Sequence, residues 1–324
     1  YGRTLRLSST KIDCLAGCRF AYYLKYGLRV LERRTAELDA PLYGTFVHFV
    51  LEHTVRQTMQ EGGFAVVSRE RVLAIADAQM ERYAETELAC LMESERERYL
   101  FRRTFREVRQ VVAELYAELS QSEFRPHWLE LGFTAHGPLP PVHISGELIS
   151  AELEGYVDRA DLWRCGERLY FRVVDYKTGK KNFEYTNVAN GLGLQMLLYL
   201  FALEKNGQRL TGEPLFPAGV LYFPARMDGV TVKDKFSEDD ADAAHRKLLR
   251  RQGLLLDDER TLHAMEPGEG APVYLPYSLK KGERTGYLAS ARQLRALEGF
   301  VMDKVASFAD GLARRRPFAR LRPS

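Results

Sequence analysis

Gly155-Tyr156-Val157-Asp158-Arg159-Ala160-Asp161 and, beyond a short turn, Val174-Asp175-Tyr176-Lys177-Thr178-Gly179 are the stretches on which the reading of this chain turns. The second closes a run from Leu169 that is rich in β-formers, so Leu169 to Lys177 reads as a strand that Gly179 ends. Side chains alternate along a strand, so Asp175 and Lys177 leave the same face. Arg164-Cys165-Gly166-Glu167 reads as a turn; the segment before it, loosely alternating from Leu148 to Val157, can then be an antiparallel neighbour that brings Asp158 close to Asp175. Two carboxylates with a backbone carbonyl suit a hard cation, Mg²⁺ or Mn²⁺. An ammonium beside them can orient a water and stabilise charge on a phosphoryl oxygen.

Working outward, Lys11 to Tyr26 has a helical pattern with Ser9 as its N-cap and Gly27 as its stop, and a second helix should run from Tyr43-Gly44 to about Gln60. Residues 68 to 122 read as long charged helices, with Val72, Ile75, Met80, Tyr83 and Leu88 at near-helical spacing. Pro138, Pro140 and Pro141 punctuate a loop before the strands. After them come a helix from Leu192 to Glu204 and a buried strand from Ala218 to Phe223, which Pro224 stops; the remainder reads as mostly helical, with a loop around Pro267 to Pro276. Strands set among helices predict an α/β fold with a sheet covered on both faces.

The 324 residues carry a formal net charge of only +3, so any nucleic-acid reading must rest on local features. The clearest is the basic end, Arg314-Arg315-Arg316 with Arg320 and Arg322, which reads equally well as a solvated tail. No apolar run is long enough to span a membrane, and no secretory signal pattern opens the chain. Cys14, Cys18, Cys90 and Cys165 form no C-x-x-C pair, which favours free thiols and a cytoplasmic setting over disulfides. No phosphate-binding Gly-x-x-x-x-Gly-Lys-[Ser/Thr] loop occurs, so ATP hydrolysis is not expected of this sequence. The first residue is Tyr1, which reads as a fragment of a larger subunit.

An isolated Asp-x-Lys is a weak signal, most often a strand-end salt bridge. His48 alone would usually be a core histidine, and Gln195 with Tyr199, one helical turn apart, a partly buried polar pair. Their conjunction in this order carries more. With Leu7-Ser8-Ser9-Thr10-Lys11-Ile12, Cys18-Arg19-Phe20, Leu38-Asp39-Ala40-Pro41, Gly44-Thr45-Phe46-Val47-His48, Pro217-Ala218-Gly219-Val220-Leu221-Tyr222-Phe223 and Gly253-Leu254-Leu255-Leu256-Asp257, the chain resembles the PD-(D/E)XK nuclease superfamily. The likeness is to its RecB- and AddB-type branch, and within it to the C-terminal nuclease domain of AddB.

That resemblance implies a restriction-endonuclease-like fold: a central mixed sheet flanked by helices, with a helical insertion. It implies one nuclease domain over 1–324, with N-terminal helices and the histidine motif in 1–60, the insertion in 65–125, the catalytic core in 126–225 and a mostly helical part in 226–324. It makes His48, Asp158 and Asp175 metal ligands together with the Tyr176 carbonyl, Lys177 the catalytic lysine, and Gln195 and Tyr199 a supporting pair. Glu130 matches an accessory acidic position. The implied reaction is Mg²⁺- or Mn²⁺-dependent DNA hydrolysis in double-strand break repair, leaving a 5′-phosphate and a 3′-hydroxyl. The implied partners are DNA, an AddA-like helicase–nuclease protein and the remainder of its own chain. In many AddB-type proteins the cysteine at Cys18 ligates a 4Fe-4S cluster with three later cysteines; Cys90 and Cys165 do not match those, so this sequence cannot complete a cluster. Two other readings use the same residues: a stand-alone CRISPR-associated exonuclease, and a non-catalytic DNA-binding module that keeps the fold.

Overall fold

The strand that carries Asp175 and Lys177 lies inside a six-stranded sheet. The computed structural model describes residues 4–30, 40–87, 95–226 and 248–314. From the N-terminus, β1 (Thr4–Leu7) leads into α1 (Ser9–Gly17), α2 (Arg19–Tyr22) and a π-helical turn (Tyr23–Gly27). Helices α3 (Ala40–Gln60), α4 (Arg69–Thr86) and α5 (Glu95–Gln121) follow. Next come β2 (Arg125–Phe133), β3 (Val142–Ile144), β4 (Ser150–Leu153), β5 (Gly155–Cys165) and β6 (Arg168–Lys177). Then α6 (Tyr185–Ala189), α7 (Gln195–Asn206) and α8 (Gln208–Thr211) precede β7 (Leu215–Pro224) and β8 (Gln252–Leu256). The last elements are α9 (Glu259–Met265), β9 (Tyr277–Lys280), β10 (Glu283–Gly286), β11 (Leu288–Ala289) and α10 (Ala291–Ala313).

The main sheet has the order β11-β8-β7-β6-β5-β2. It is mixed: β6 and β7 run parallel, as do β8 and β11, while β2–β5, β5–β6 and β7–β8 are antiparallel. Alternation along the central strands sends neighbours to opposite faces. Val173 and Val220 join one core with Leu197, Leu200 and Phe201 of α7 and Val301 and Val305 of α10. Val174 and Leu221 join another with Phe46, Val47 and Val50 of α3, Val72 and Met80 of α4, and Val108, Val111, Val112 and Leu115 of α5. The 108, 111, 112, 115 spacing is a helical stripe, which is why α5 lies flat on the sheet. The expected α/β architecture with both sheet faces covered is therefore present. No helix among the described residues is long and apolar enough to cross a membrane.

Four expectations need correction. The helix expected over Lys11–Tyr26 breaks at Cys18, whose backbone is extended and whose Sγ accepts from the Ala21 N–H at 3.5 Å, starting α2 afresh. Its N-cap is Ser8, which accepts from the Lys11 N–H, rather than Ser9. The run read as one strand over Leu148–Val157 serves two sheets: β4 pairs with β1 and β3, and β5 starts the main sheet after Glu154. Finally, the part after 226 is not mostly helical among its described residues: β8, β9, β10 and β11 stand beside α9 and α10. Its strands are too short, or too uniformly apolar, to show a period of two. Leu38, Asp39, Leu88, Cys90 and the arginines at 315, 316, 320 and 322 lie outside the described residues.

Candidate active site

Three adjacent strands carry one carboxylate each to the same level of the sheet. The β5–β6 register pairs Arg159 with Val174, and one step further sets Asp158 opposite Asp175. The β2–β5 register pairs Leu129 with Arg159 and Leu131 with Val157, which leaves Glu130 opposite Asp158. Glu130 has a φ of 51°. Left-handed backbone costs a non-glycine residue on the order of 1–3 kcal/mol and tends to collect at functional sites.

Helix α3 adds His48. Its Nε2 lies 2.9 Å from the Tyr176 carbonyl oxygen and its Nδ1 lies 3.5 Å from Asp158 Oδ2. The Tyr176 N–H donates to the same Asp158 oxygen at 2.7 Å. Tyr176 thus faces the imidazole with its carbonyl and Asp158 with its amide. Lys177 Nζ is 2.5 Å from Asp175 Oδ2. Ligand atoms of His48, Glu130 and Asp158 all lie within 4.8 Å of one another. The structure therefore brings His48, Asp158 and the Tyr176 carbonyl together as expected, draws Glu130 into their group, and leaves Asp175 turned to Lys177 one strand away.

Burial first, then the neighbouring Asp175, pushes Asp158 up to about 6, against the pull of His48. Burial, then Asp158, Glu52 and Asp175, pushes Glu130 up to about 7. Burial also raises Asp175, with the Lys177 ammonium opposing it. Carboxylates that burial and mutual repulsion hold above their ordinary range mark a place short of positive charge. Carboxylate oxygens, an imidazole nitrogen and a backbone carbonyl are a donor set that fits a hard divalent cation.

Gln195 and Tyr199 sit on one face of α7, as their spacing predicts. The Tyr199 hydroxyl is hydrogen-bonded to the side chains of Gln195 and Ser9, which is the role Ser9 has in place of capping α1. The Tyr199 ring lies parallel to Phe133 at 5.9 Å. A Cβ on Gly155 would fall 2.0 Å from the Tyr199 hydroxyl oxygen. Glycine at the start of β5 is what lets this tyrosine reach the site.

A model of the PD-(D/E)XK nuclease superfamily matches residues 6–316. The chain belongs to that superfamily. Three proteins, each named as the AddB-type subunit of an ATP-dependent helicase/deoxyribonuclease, are similar to it. That of Moorella thermoacetica is 34% identical over 303 residues, 92% of this chain and 26% of its own length. Those of Acetivibrio thermocellus and Clostridium novyi are each 32% identical, over 313 and 298 residues, covering 93% and 88% of this chain and 27% and 26% of their own. The chain thus spans about a quarter of the length of these relatives. The AddB-type likeness read from the motifs agrees with these matches.

Two features of this PD-(D/E)XK chain bear further on the expectations. Cys18 is exposed, and Cys14, Cys18 and Cys165 are free thiols. Among the described residues no cysteine belongs to a group of three potential ligands, so they do not make an iron–sulfur site.

The other feature was only half visible in the sequence, where Arg159 and Asp161 stood out as flanks of Asp158. Both are fully buried on the α5 side of the sheet. Asp161 accepts from Arg159 Nε and from Arg172 Nε, each at 2.8 Å. Glu118 of α5 lies 3.3 Å from Arg172 and accepts from Arg251 Nε at 3.0 Å. Arg159 Nη1 then donates to the Tyr176 hydroxyl at 3.1 Å. The network ends on the residue whose backbone faces both His48 and Asp158. Its sequence signals were Arg172 inside an apolar strand and Glu118 on the apolar stripe of α5.

Proposed function

We propose that this chain hydrolyses DNA phosphodiester bonds with a divalent cation held by His48, Asp158, Asp175 and the Tyr176 carbonyl, with Glu130 beside them. The observation that carries the reading is the meeting of these groups next to a single lysine, from α3 and three neighbouring strands. When bound, such a cation polarises a phosphoryl oxygen and acidifies a coordinated water. The rest falls to the chain. Lys177, one strand position from Tyr176, presents an ammonium that neutralises charge gathering on the phosphoryl oxygens and steers the attacking water. Asp175 keeps that ammonium aligned through their ion pair. Tyr176 fixes Asp158 through its amide, and the buried arginines fix Tyr176 through its hydroxyl. Gln195 holds Tyr199 against Gly155 and closes the α7 side.

The relatives' printed name joins an ATP-dependent helicase to a deoxyribonuclease. On that basis we place this chain as the nuclease part of a longer protein that cuts a strand delivered by a helicase during recombinational repair, beside an AddA-like partner. The test is cleavage of end-labelled single-stranded DNA with Mg²⁺ or Mn²⁺, against EDTA and the Lys177→Ala variant. Cleavage that persists in EDTA, or in that variant at the parent's rate, would refute this reading. A binding-only module would show no cleavage under any of these conditions.

A further inference from the structure

Strands β6 and β7 run parallel and end side by side, with Lys177 opposite Pro224 and the Ala225 N–H donating to the Lys177 carbonyl at 2.9 Å. Strand β8 enters antiparallel, its Gln252 opposite Tyr222. Where parallel strands end, the diverging loops leave a crevice. Here it is a cavity of 340 Å³ whose lining includes Lys177, Lys180, Lys181, Arg226 and Arg250 over the floor of Tyr222. None of the described lining residues is acidic.

The cations are spread along the crevice and partly fixed. Lys177 stands at the end nearest Asp175. The Lys181 ammonium reaches Gly193, where a Cβ would lie 3.7 Å from its Nζ. Arg226 lies over the Tyr43 ring at 5.4 Å, and Arg250 Nη1 donates to Ser278 Oγ at 3.0 Å. The opposite flank of the carboxylate group differs in sign. Glu52 follows His48 by one turn of α3 and joins Glu130 there, with Arg56 2.6 Å from Glu52. A polyanion that brings one phosphate to Lys177 therefore finds positive charge on the β6–β7 side only.

We propose that this crevice binds the sugar–phosphate backbone of a DNA strand next to the bond to be cut. Lys180, Lys181, Arg226 and Arg250 take the phosphates adjoining the one that faces Lys177. The assignment rests on the nuclease reading for which phosphate is cut, but the binding itself requires no cleavage.

Neutralising backbone phosphates releases condensed counterions, so each lost contact to a single strand flattens the dependence of log affinity on log salt by about 0.7. The experiment measures fluorescence anisotropy of labelled oligo(dT) in EDTA, with the 324-residue chain, over roughly 50 to 300 mM KCl. Lys180→Gln/Lys181→Gln should weaken binding about tenfold and flatten the slope by about 1.4. Lys205→Gln/Arg209→Gln removes the same charge before β7, at the other end of the strand, and should change neither. Arg250→Gln, read in the same way, should flatten the slope by about 0.7. A Lys180/Lys181 variant that binds like the parent, or a control that loses as much, overturns the crevice. If the expected binding losses appear but the parent cuts no DNA with Mn²⁺, the crevice stands and the proposed nuclease function falls.

Discussion

Asp175 and Lys177 are two residues apart on one strand, yet their contributions are opposite in sign and depend on each other. Asp175 is buried among other carboxylates, and Lys177 is the cation that touches it. Replacing either with Ala should lower metal-dependent cleavage by on the order of 10²–10³, the usual cost of losing a preorganised electrostatic group. Circular dichroism and DNA binding should stay close to the parent, since both side chains sit at the end of β6. A variant that cuts at the parent's rate would remove its residue from the site. Gly155 makes a sharper demand, because the hydroxyl it faces is already held by Gln195 and Ser9. Gly155→Ala should cost about 1–3 kcal/mol in urea denaturation, the range for overpacking a filled interior. Unchanged stability would mean that Tyr199 is free to move aside.

At the scale of the element, β6 is two strands in one. Asp175 and Lys177 serve the site, while Arg172, Val174 and Tyr176 face α5 and the buried charges. Burial opposes the charge of Glu118, yet Arg251, Arg172 and Arg159 hold its carboxyl below the usual range. Taking away one member of a buried ion network leaves the others uncompensated, at a cost of about 3–5 kcal/mol. Glu118→Gln removes one of the two carboxylates facing three guanidinium groups, so its urea midpoint should fall by an amount of that order. A loss under about 1 kcal/mol, as for a surface pair, would show that the network is not desolvated as its burial indicates. Periodicity found the strand itself but gave no warning that Arg172, in an apolar run, would meet Glu118 from a helix more than fifty residues earlier. Nothing local distinguishes an arginine that finds a buried partner from one that snorkels to the surface.

At the scale of the molecule, the site acts on stability through protons. In the metal-free fold Glu130 is pushed up to about 7 and Asp158 to about 6, each by burial first and by neighbouring carboxylates next. Unfolded, both would titrate near about 4. Between those limits the folded chain binds more protons than the unfolded one, so their contribution falls as pH rises from about 4 through about 7. A divalent cation takes the place of those protons. Mn²⁺ should therefore raise the melting temperature more at pH 8 than at pH 5.5, as followed by calorimetry. Equal increments at the two pH values would show that these carboxylates do not hold the ion.

What could be read without coordinates was whatever depends on near neighbours. Asp175 and Lys177 share a face because strands have a period of two, and Gln195 meets Tyr199 because helices turn once in about four residues. The turn at Gly166 made β5 and β6 neighbours, and with them Asp158 and Asp175. Other facts required distant parts of the chain to meet. The strained backbone of Glu130 sets it opposite Asp158, on a strand whose own residues hardly suggest it. Ser9 leaves the helix cap to Ser8 and finds Tyr199 instead. Arg226 and Arg250 join Lys180 and Lys181 only because β6 and β7 end together and β8 turns back beside them. Local bonding patterns repeat along a chain and can be counted there; the sign and crowding of charge at one point in space depend on every segment that folds onto it.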